Sequence, residues 1–347
     1  MPSMLTKQLL KRIKEYSINM YKVEYPSTQV IYGKDALDWL ANLKSSKVGI
    51  VTTRSLLQGK TLSLVTRLVN ADVIEGPRQH VPEDDVIVLK EKVGNYEIII
   101  GLGGGSIIDG LKLVLEEKTK YIVIPTTLSG AEHTRSGGYT TQGLKRSKLG
   151  KEPDIVILDP RATLETPKWL LVSSAVRSID HAVEALYSRD STPFVDSLAK
   201  EGFHKIVNCL RDIDSLDSRL ECQIGVWLSS LTMRYARMGM SHMFGYVFGP
   251  RFNIPHGYTS CISLPTAIKF NYEASKEKLK SIEKDKPLYE FLDNFLMEIG
   301  VRRKLSEYTS LEEALKYAEI FSQLSNNSGN PTKLSVDDAK KFIQEVY

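Results

Sequence analysis

The stretch RSIDHAVEALYS (residues 177–188) sets a histidine between two acids, with an arginine one turn before it. Ile179, Ala182, Val183 and Leu186 recur at helical spacing, so the segment predicts a helix. On that helix His181 is a metal ligand, a proton carrier or a packing residue. Arg177 bears on the choice. A guanidinium stays protonated in any protein and has no lone pair to give a metal. It can clamp a substrate carboxylate with two hydrogen bonds or stabilise a developing oxyanion. As a residue of a helix surface it would instead pair with the following turn, at Asp180 or His181.

Two loops supply a second kind of chemistry. GLGGGSIIDGLK (101–112) follows an apolar run and opens a helical pattern. Gly103, Gly104 and Gly105 would let the backbone approach a pyrophosphate, and the helix start offers free N–H groups and a positive dipole end. Ser106 can cap that helix or bond a phosphate oxygen. The loop departs from the usual dinucleotide fingerprint, because Ser106 stands where its third glycine would fall and no acid closes a strand about 20 residues on. The second loop, IPTTLSGAEHT (124–134), crowds Thr126, Thr127 and Ser129 at the carboxyl end of another apolar run. Hydroxyls there suit a nicotinamide or a ribose, and equally an ordinary helix cap.

The elements that must carry these loops alternate. VGIVTT (48–53), YEIIIGL (96–102), YIVIPTT (121–127) and DIVILDP (154–160) are apolar runs of strand length, several of them continuous, as in a parallel sheet buried on both faces. Helical patterns such as LLQGKTLSLVTRLVN and SIIDGLKLVLEE lie between them. Residues 137–148 read as an inserted hairpin. After Pro160 the strand-like runs stop and long helical patterns take over. This predicts an α/β doubly wound dinucleotide-binding domain over 1–160 and an all-α domain over 161–347. The cleft between two such domains is the expected ligand site.

Composition narrows the function classes. A net charge of +4 over 347 residues is too mild for a nucleic-acid partner. KRSKLGK (145–151) is read as a solvated hairpin. Cys209, Cys222 and Cys261 stand far apart without a CxxC, which predicts three buried unpaired thiols and a reducing compartment. The N-terminal MPSMLTKQLLKRIKEYS is amphipathic without the apolar core of a signal peptide. No run reaches membrane-spanning length. A cytoplasmic protein is expected.

Taken in order, VIYGKDAL, GGGSIID, IPTTLSGAE, ILDP, HAVEALYS, SHMFGYVFGPRFNIPHGYTSCISLPTAIKFN and the tail NPTKLSVDDAKKFIQEVY resemble the iron-containing alcohol dehydrogenase superfamily nearly end to end. The style of PTTLSGAE, HAVEALY and NIPHGYTSC is similar to its maleylacetate reductase-like branch. The resemblance implies a dehydroquinate synthase-like architecture and an NAD(P)H-dependent transfer of hydride to or from a small carbonyl, enone or alcohol, with a carboxylate-bearing substrate and a homodimer. Metal-dependent members hold iron or zinc with an aspartate and three histidines. The histidines fall on His181, His242 and His256, and the aspartate falls on Arg177. Tyr246 stands where many members have another histidine. Asp180 adjoins His181 and so points about 100° away from it, a poor second ligand.

A metal-free reduction is therefore expected. Arg177 would grip an acidic substrate, and His181, His242, His256 or Tyr246 would supply the proton, a histidine being favoured because it titrates near neutrality. Thr53 and Arg54 occupy the region where NAD-preferring members keep a carboxylate, so NADP(H) is favoured over NAD(H). Asp109 and Lys112 resemble cofactor or active-site positions, Lys112 being equally readable as solvated. His80, His133 and His204 are expected to be structural. The competing readings are a metal-dependent alcohol dehydrogenase with a rearranged ligand set, a dehydroquinate synthase-like lyase and a non-catalytic dinucleotide-binding sensor.

Overall fold

The computed structural model describes residues 23–142 and 144–347. The amphipathic stretch 1–17 lies outside them. The strands run β1 (Gln29–Tyr32), β2 (Val48–Thr52), β3 (Asp72–Glu75), β4 (Ile98–Gly103), β5 (Lys120–Pro125), β6 (Ser136–Thr141), β7 (Leu144–Leu149) and β8 (Ile155–Leu158). Six of them make one parallel sheet in the order β1-β8-β5-β4-β2-β3, and β6 pairs with β7 as an antiparallel hairpin. Strands β2, β4 and β8 are buried along their whole length. Their continuous Val/Ile runs follow from having protein on both faces. Leu37, Leu40, Leu62 and Val65 pack one face, while Leu89, Ile107, Leu111 and Tyr121 pack the other. Strand β3, with the sequence DVIE, is a mostly exposed edge and carries no apolar run, so the reading by periodicity passed over it.

Helices α1 (Lys60–Leu68), α2 (Glu83–Val93) and α3 (Gly105–Val114) connect the first strands. Beyond β8, helices follow without a further strand among the described residues. They are α4 (Lys168–Tyr187), α5 (Pro193–Cys209), α6 (Leu216–Leu231), α7 (Met240–Phe248), α8 (His256–Leu279), α9 (Leu288–Glu298), α10 (Leu311–Leu315), α11 (Ala318–Asn327) and α12 (Val336–Val346). Their apolar faces form one large core. Helix α4 is its axle, with every residue from Leu171 to Tyr187 buried. Its polar residues are thus withdrawn from water and must find partners inside the protein.

Three expectations need correction here. Cys209 and Cys222 form a disulfide with Cα atoms 5.6 Å apart, which ties the end of α5 to α6; Cys261 alone is a free thiol among the three. Helix packing closed a gap that linear spacing did not suggest, and the pair removes the support that unpaired cysteines lent to a reducing compartment. Lys112 is not solvated. Its ammonium donates to the carbonyls of Ala131 at 2.5 Å and Ser136 at 3.0 Å and lies 3.3 Å from Asp109, stapling α3 to the start of the hairpin. Arg177 is not a surface residue, being 3% exposed. No described helix is long and apolar enough to cross a membrane.

Candidate active site

The sheet reverses its winding between β2 and β4, and ligands bind open α/β sheets beyond the carboxyl ends of the strands at such a point. There β4 runs into α3 through Gly103 and Gly104. A Cβ on Gly103 would come within 2.6 Å of Ile107, and one on Gly104 within 2.8 Å of Thr127. Gly103 is a close-packing residue behind the loop. Gly104, Gly105, Ser106 and Asp109 line a cleft of about 1320 Å³. Thr53 and the exposed Arg54, which follow β2, line it too, as do Thr126, Thr127 and Ser129 after β5. The second loop is clipped to α4 at Leu128, whose N–H donates to Ser174 Oγ at 2.9 Å and whose carbonyl accepts from Ser178 Oγ at 2.8 Å. Gly130 turns the loop at φ 71°, in the left-handed region open to glycine, and a Cβ there would meet Ser230 Oγ at 1.8 Å.

The opposite wall carries Arg177 and His181 of α4, His242 and Tyr246 of α7, and His256, the first residue of α8. The inner nitrogens of two histidines are engaged: His181 Nδ1 lies 3.0 Å from Ser230 Oγ, and His242 Nδ1 lies 2.8 Å from Glu184 Oε2. Their rings sit 5.0 Å apart, centre to centre. His242 Nε2 is buried without a partner. Glu184 also accepts from the N–H groups of Gly239 at 2.6 Å and Ser241 at 2.8 Å and from the Tyr187 hydroxyl at 3.0 Å. A carboxylate at the start of α7 meets unpaired N–H groups and the positive end of the helix dipole.

Asp180, fully buried, accepts at Oδ2 from Ser260 Oγ at 2.6 Å and Ser241 Oγ at 2.8 Å, with Arg177 Nη1 at 3.3 Å. Its Oδ1 lies 3.4 Å from His242 Nδ1. Burial alone would raise its pKa, but the neighbouring His242 and Arg177 hold it well below the usual carboxylate range. Arg177 Nη1 also donates to Ser260 Oγ at 3.1 Å, while its Nε is buried and unpaired.

Burial pushes the pKa of His181 well below the ordinary value, helped by His242 and Arg177. His256 is pushed down likewise by burial, then by Lys145 and Arg177. In both rings burial and the neighbouring cations favour the neutral imidazole, which keeps a single N–H. The reading of KRSKLGK as solvated fails at its two ends. Half-buried Lys145 lines the cleft and Lys151 is buried, while Arg146, Ser147 and Lys148 are exposed, Ser147 at the rim of the cleft. Burial draws the Lys145 ammonium down to about 8 against support from Asp109. The period-two alternation of a strand was the signal that the charge count obscured. Ser230, Ser241 and Ser260 carried no sequence signal, since serine in a helix is usually solvated. Of the histidines set aside, His133 is buried with its ring 6.2 Å from that of Trp227, and His80 borders the cleft.

The metal expectation can be tested against the donor set. Asp180, Glu184 and His242 each bring one donor atom within 4.8 Å of the others. Glu184 accepts from backbone N–H groups, and Asp180 Oδ2 from serine hydroxyls and Arg177, whereas Asp180 Oδ1 is buried without a hydrogen-bond partner, 3.4 Å from the inner edge of His242. At the cleft side the three histidines have the Arg177 cation for company instead of an acid. The guanidinium weighs against a dication at the cleft side, while Asp180, Glu184 and His242 remain the donor group that could hold one.

Two family models match the chain: Iron-containing alcohol dehydrogenase over residues 27–160, and Fe-containing alcohol dehydrogenase family, C-terminal, over residues 171–347. Maleylacetate reductase 1 of Cupriavidus pinatubonensis is 30% identical, the match covering 81% of this chain and 87% of that protein. Maleylacetate reductase of Pseudomonas knackmussii is 28% identical over 93% and 97%. Among solved structures, maleylacetate reductase from Agrobacterium tumefaciens shares the fold with a TM-score of 0.83 at 23% identity, covering 94% of this chain and 99% of that one. An iron-containing alcohol dehydrogenase from Thermotoga maritima does so with a TM-score of 0.80 at 23% identity, covering 94% and 99%. With a glycine-rich loop on one wall of the cleft and the histidine-bearing helices on the other, the chain belongs to the iron-containing alcohol dehydrogenase family, as an NAD(P)-dependent oxidoreductase of its maleylacetate reductase-like branch.

Proposed function

We propose that this protein is a metal-independent, NADPH-preferring reductase of a small carboxylate-bearing carbonyl or enone compound, with maleylacetate, the substrate named for its relatives, as the first candidate. One observation carries the reading: the Arg177 guanidinium is buried beside three histidines with its Nε unpaired. A buried donor without a partner is costly, and an incoming carboxylate or oxyanion supplies one. Asp180 and Ser260 hold the far edge of the guanidinium, so its orientation is preset.

The nicotinamide supplies the hydride when bound. Gly104, Gly105 and Ser106 hold the pyrophosphate at the start of α3, and Thr126, Thr127 and Ser129 hold the nicotinamide end. Thr53 and Arg54 offer a hydroxyl and a cation to a 2′-phosphate. Arg177 polarises the accepting group. His242 delivers the proton from Nε2, its Nδ1 edge facing Glu184 and Asp180. Tyr246 lines the same wall of the cleft. The protein works as a cytoplasmic homodimer in this reading, as light scattering and fractionation would test.

The second reading, a metal-dependent alcohol dehydrogenase, draws on the 5.0 Å approach of the His181 and His242 rings. Metal content of the isolated protein, together with NADPH oxidation before and after chelation, separates the two. Turnover of maleylacetate that survives chelation supports the metal-free reading. Turnover lost with the ion and regained on its return overturns it. A KM for NADH below that for NADPH would overturn the cofactor preference.

A further inference from the structure

The hairpin brings into the cleft a side chain that the scheme above leaves idle. Successive residues of a strand face opposite sides, and in β7 Lys145, Ser147 and Leu149 line the cleft. Lys145 is held on two sides. Its Nζ lies 5.8 Å from the centre of the Tyr246 ring on α7, within cation–π range. A Cβ on Gly138, the residue paired with Ser147 across the hairpin, would come within 2.9 Å of Lys145 Cε. A glycine at that register position makes room for the lysine stem. The hairpin itself is fixed: a Cβ on Gly137 would meet the Asp109 carbonyl of α3 at 2.8 Å, and one on Gly150 would meet that of Lys112 at 2.2 Å.

The placement is electrostatically uncomfortable. Asp109, which supports the ammonium, is bonded to Lys112 at 3.3 Å, and no ion pair joins Lys145 to a described carboxylate. Lys145 and Arg177 repel one another, and both press on His256. Two cations facing each other across a cleft are both relieved by one anion between them. Lys145 stands on the hairpin between Asp109, in the second turn of α3, and Tyr246 of α7, so it faces the helical wall from beyond the glycine loop at the start of α3.

Resting on the anionic-substrate reading above, we propose that Lys145 is the specificity-determining residue for substrate charge: its ammonium meets the substrate's anionic group from the hairpin side while Arg177 meets it from α4. Position 145 thus decides whether an acid is preferred over its neutral counterpart.

The test compares kcat and KM for maleylacetate and for its methyl-esterified form in wild type, K145M and K145R, with KM for NADPH measured alongside. Wild type should prefer the acid. K145M should raise KM for the acid about tenfold or more, with the ester and NADPH values unmoved, and K145R should keep most of the preference. A K145M variant that retains the acid-over-ester ratio, or that weakens NADPH instead, overturns the role of Lys145 and leaves the proposed function standing. A wild type indifferent to esterification removes the anionic-substrate reading and Lys145 with it. Tryptophan fluorescence quenching by NADPH reports whether each variant is folded. Should methionine not be tolerated, K145Q provides the same comparison.

Discussion

Removing the Arg177 guanidinium should lower stability and substrate affinity by amounts that a second substitution separates. In R177M the Asp180 carboxylate stays behind, fully buried, having lost a cation 3.3 Å away. Breaking a buried pair on one side costs about 3–5 kcal/mol. Asp180 keeps the hydroxyls of Ser241 and Ser260, so the lower end, about 3 kcal/mol, is expected. D180N strands the guanidinium and should cost a similar amount. In R177M/D180N neither charge is left, and the double variant should lose about 3 kcal/mol rather than the sum, a coupling of about 3 kcal/mol. Activity should behave otherwise. A charge-assisted contact of about 3 kcal/mol corresponds to roughly a hundredfold in kcat/KM, and the double variant cannot recover it because the substrate's partner is gone. The assays are urea unfolding followed by far-ultraviolet circular dichroism, and NADPH oxidation with maleylacetate in chelator. If R177M is destabilised yet keeps kcat/KM, or if the double variant regains activity together with stability, Arg177 is a structural counter-ion and the substrate clamp is wrong.

Three other outcomes follow from particular groups. R177D puts an acid where the metal-dependent relatives keep one, so it should retain zinc or iron through gel filtration, where wild type does not, while losing its grip on acids; equal metal content in the two proteins would count against the electrostatic argument. Burial raises the Glu132 carboxyl to about 7, so its contribution to stability is complete below about pH 4.5 and fades as pH rises through about 7, a loss of roughly 3 kcal/mol. E132Q should therefore be more stable than wild type at pH 8.5 and not at pH 4.5, and an advantage of wild type that grows with pH would refute this. Alkylation of the unfolded, unreduced chain should label Cys261 alone, and all three cysteines after reduction, given the Cys209–Cys222 bond; losing that bond in C209S should cost about 3 kcal/mol for the 13-residue separation.

What the sequence by itself determined is the architecture and the two loops. Continuous Val/Ile runs alternating with helical patterns point to a sheet covered on both faces, and GLGGGS after such a run points to a tight turn into a helix. These are local properties, written within a few residues of one another. Tertiary structure decided the rest. Arg177 and Asp180 share one helix, but the serines that fix them, Ser241 and Ser260, arrive from α7 and α8. Cys209 and Cys222 meet because α5 and α6 pack. Lys145 lies among charges that look solvated in one dimension, and only the seat of the hairpin on α3 and α7 turns alternate residues into the cleft. The protonation of the histidines was beyond sequence for the same reason: the ring nitrogens respond to burial and to charges brought close by folding, not to their neighbours along the chain.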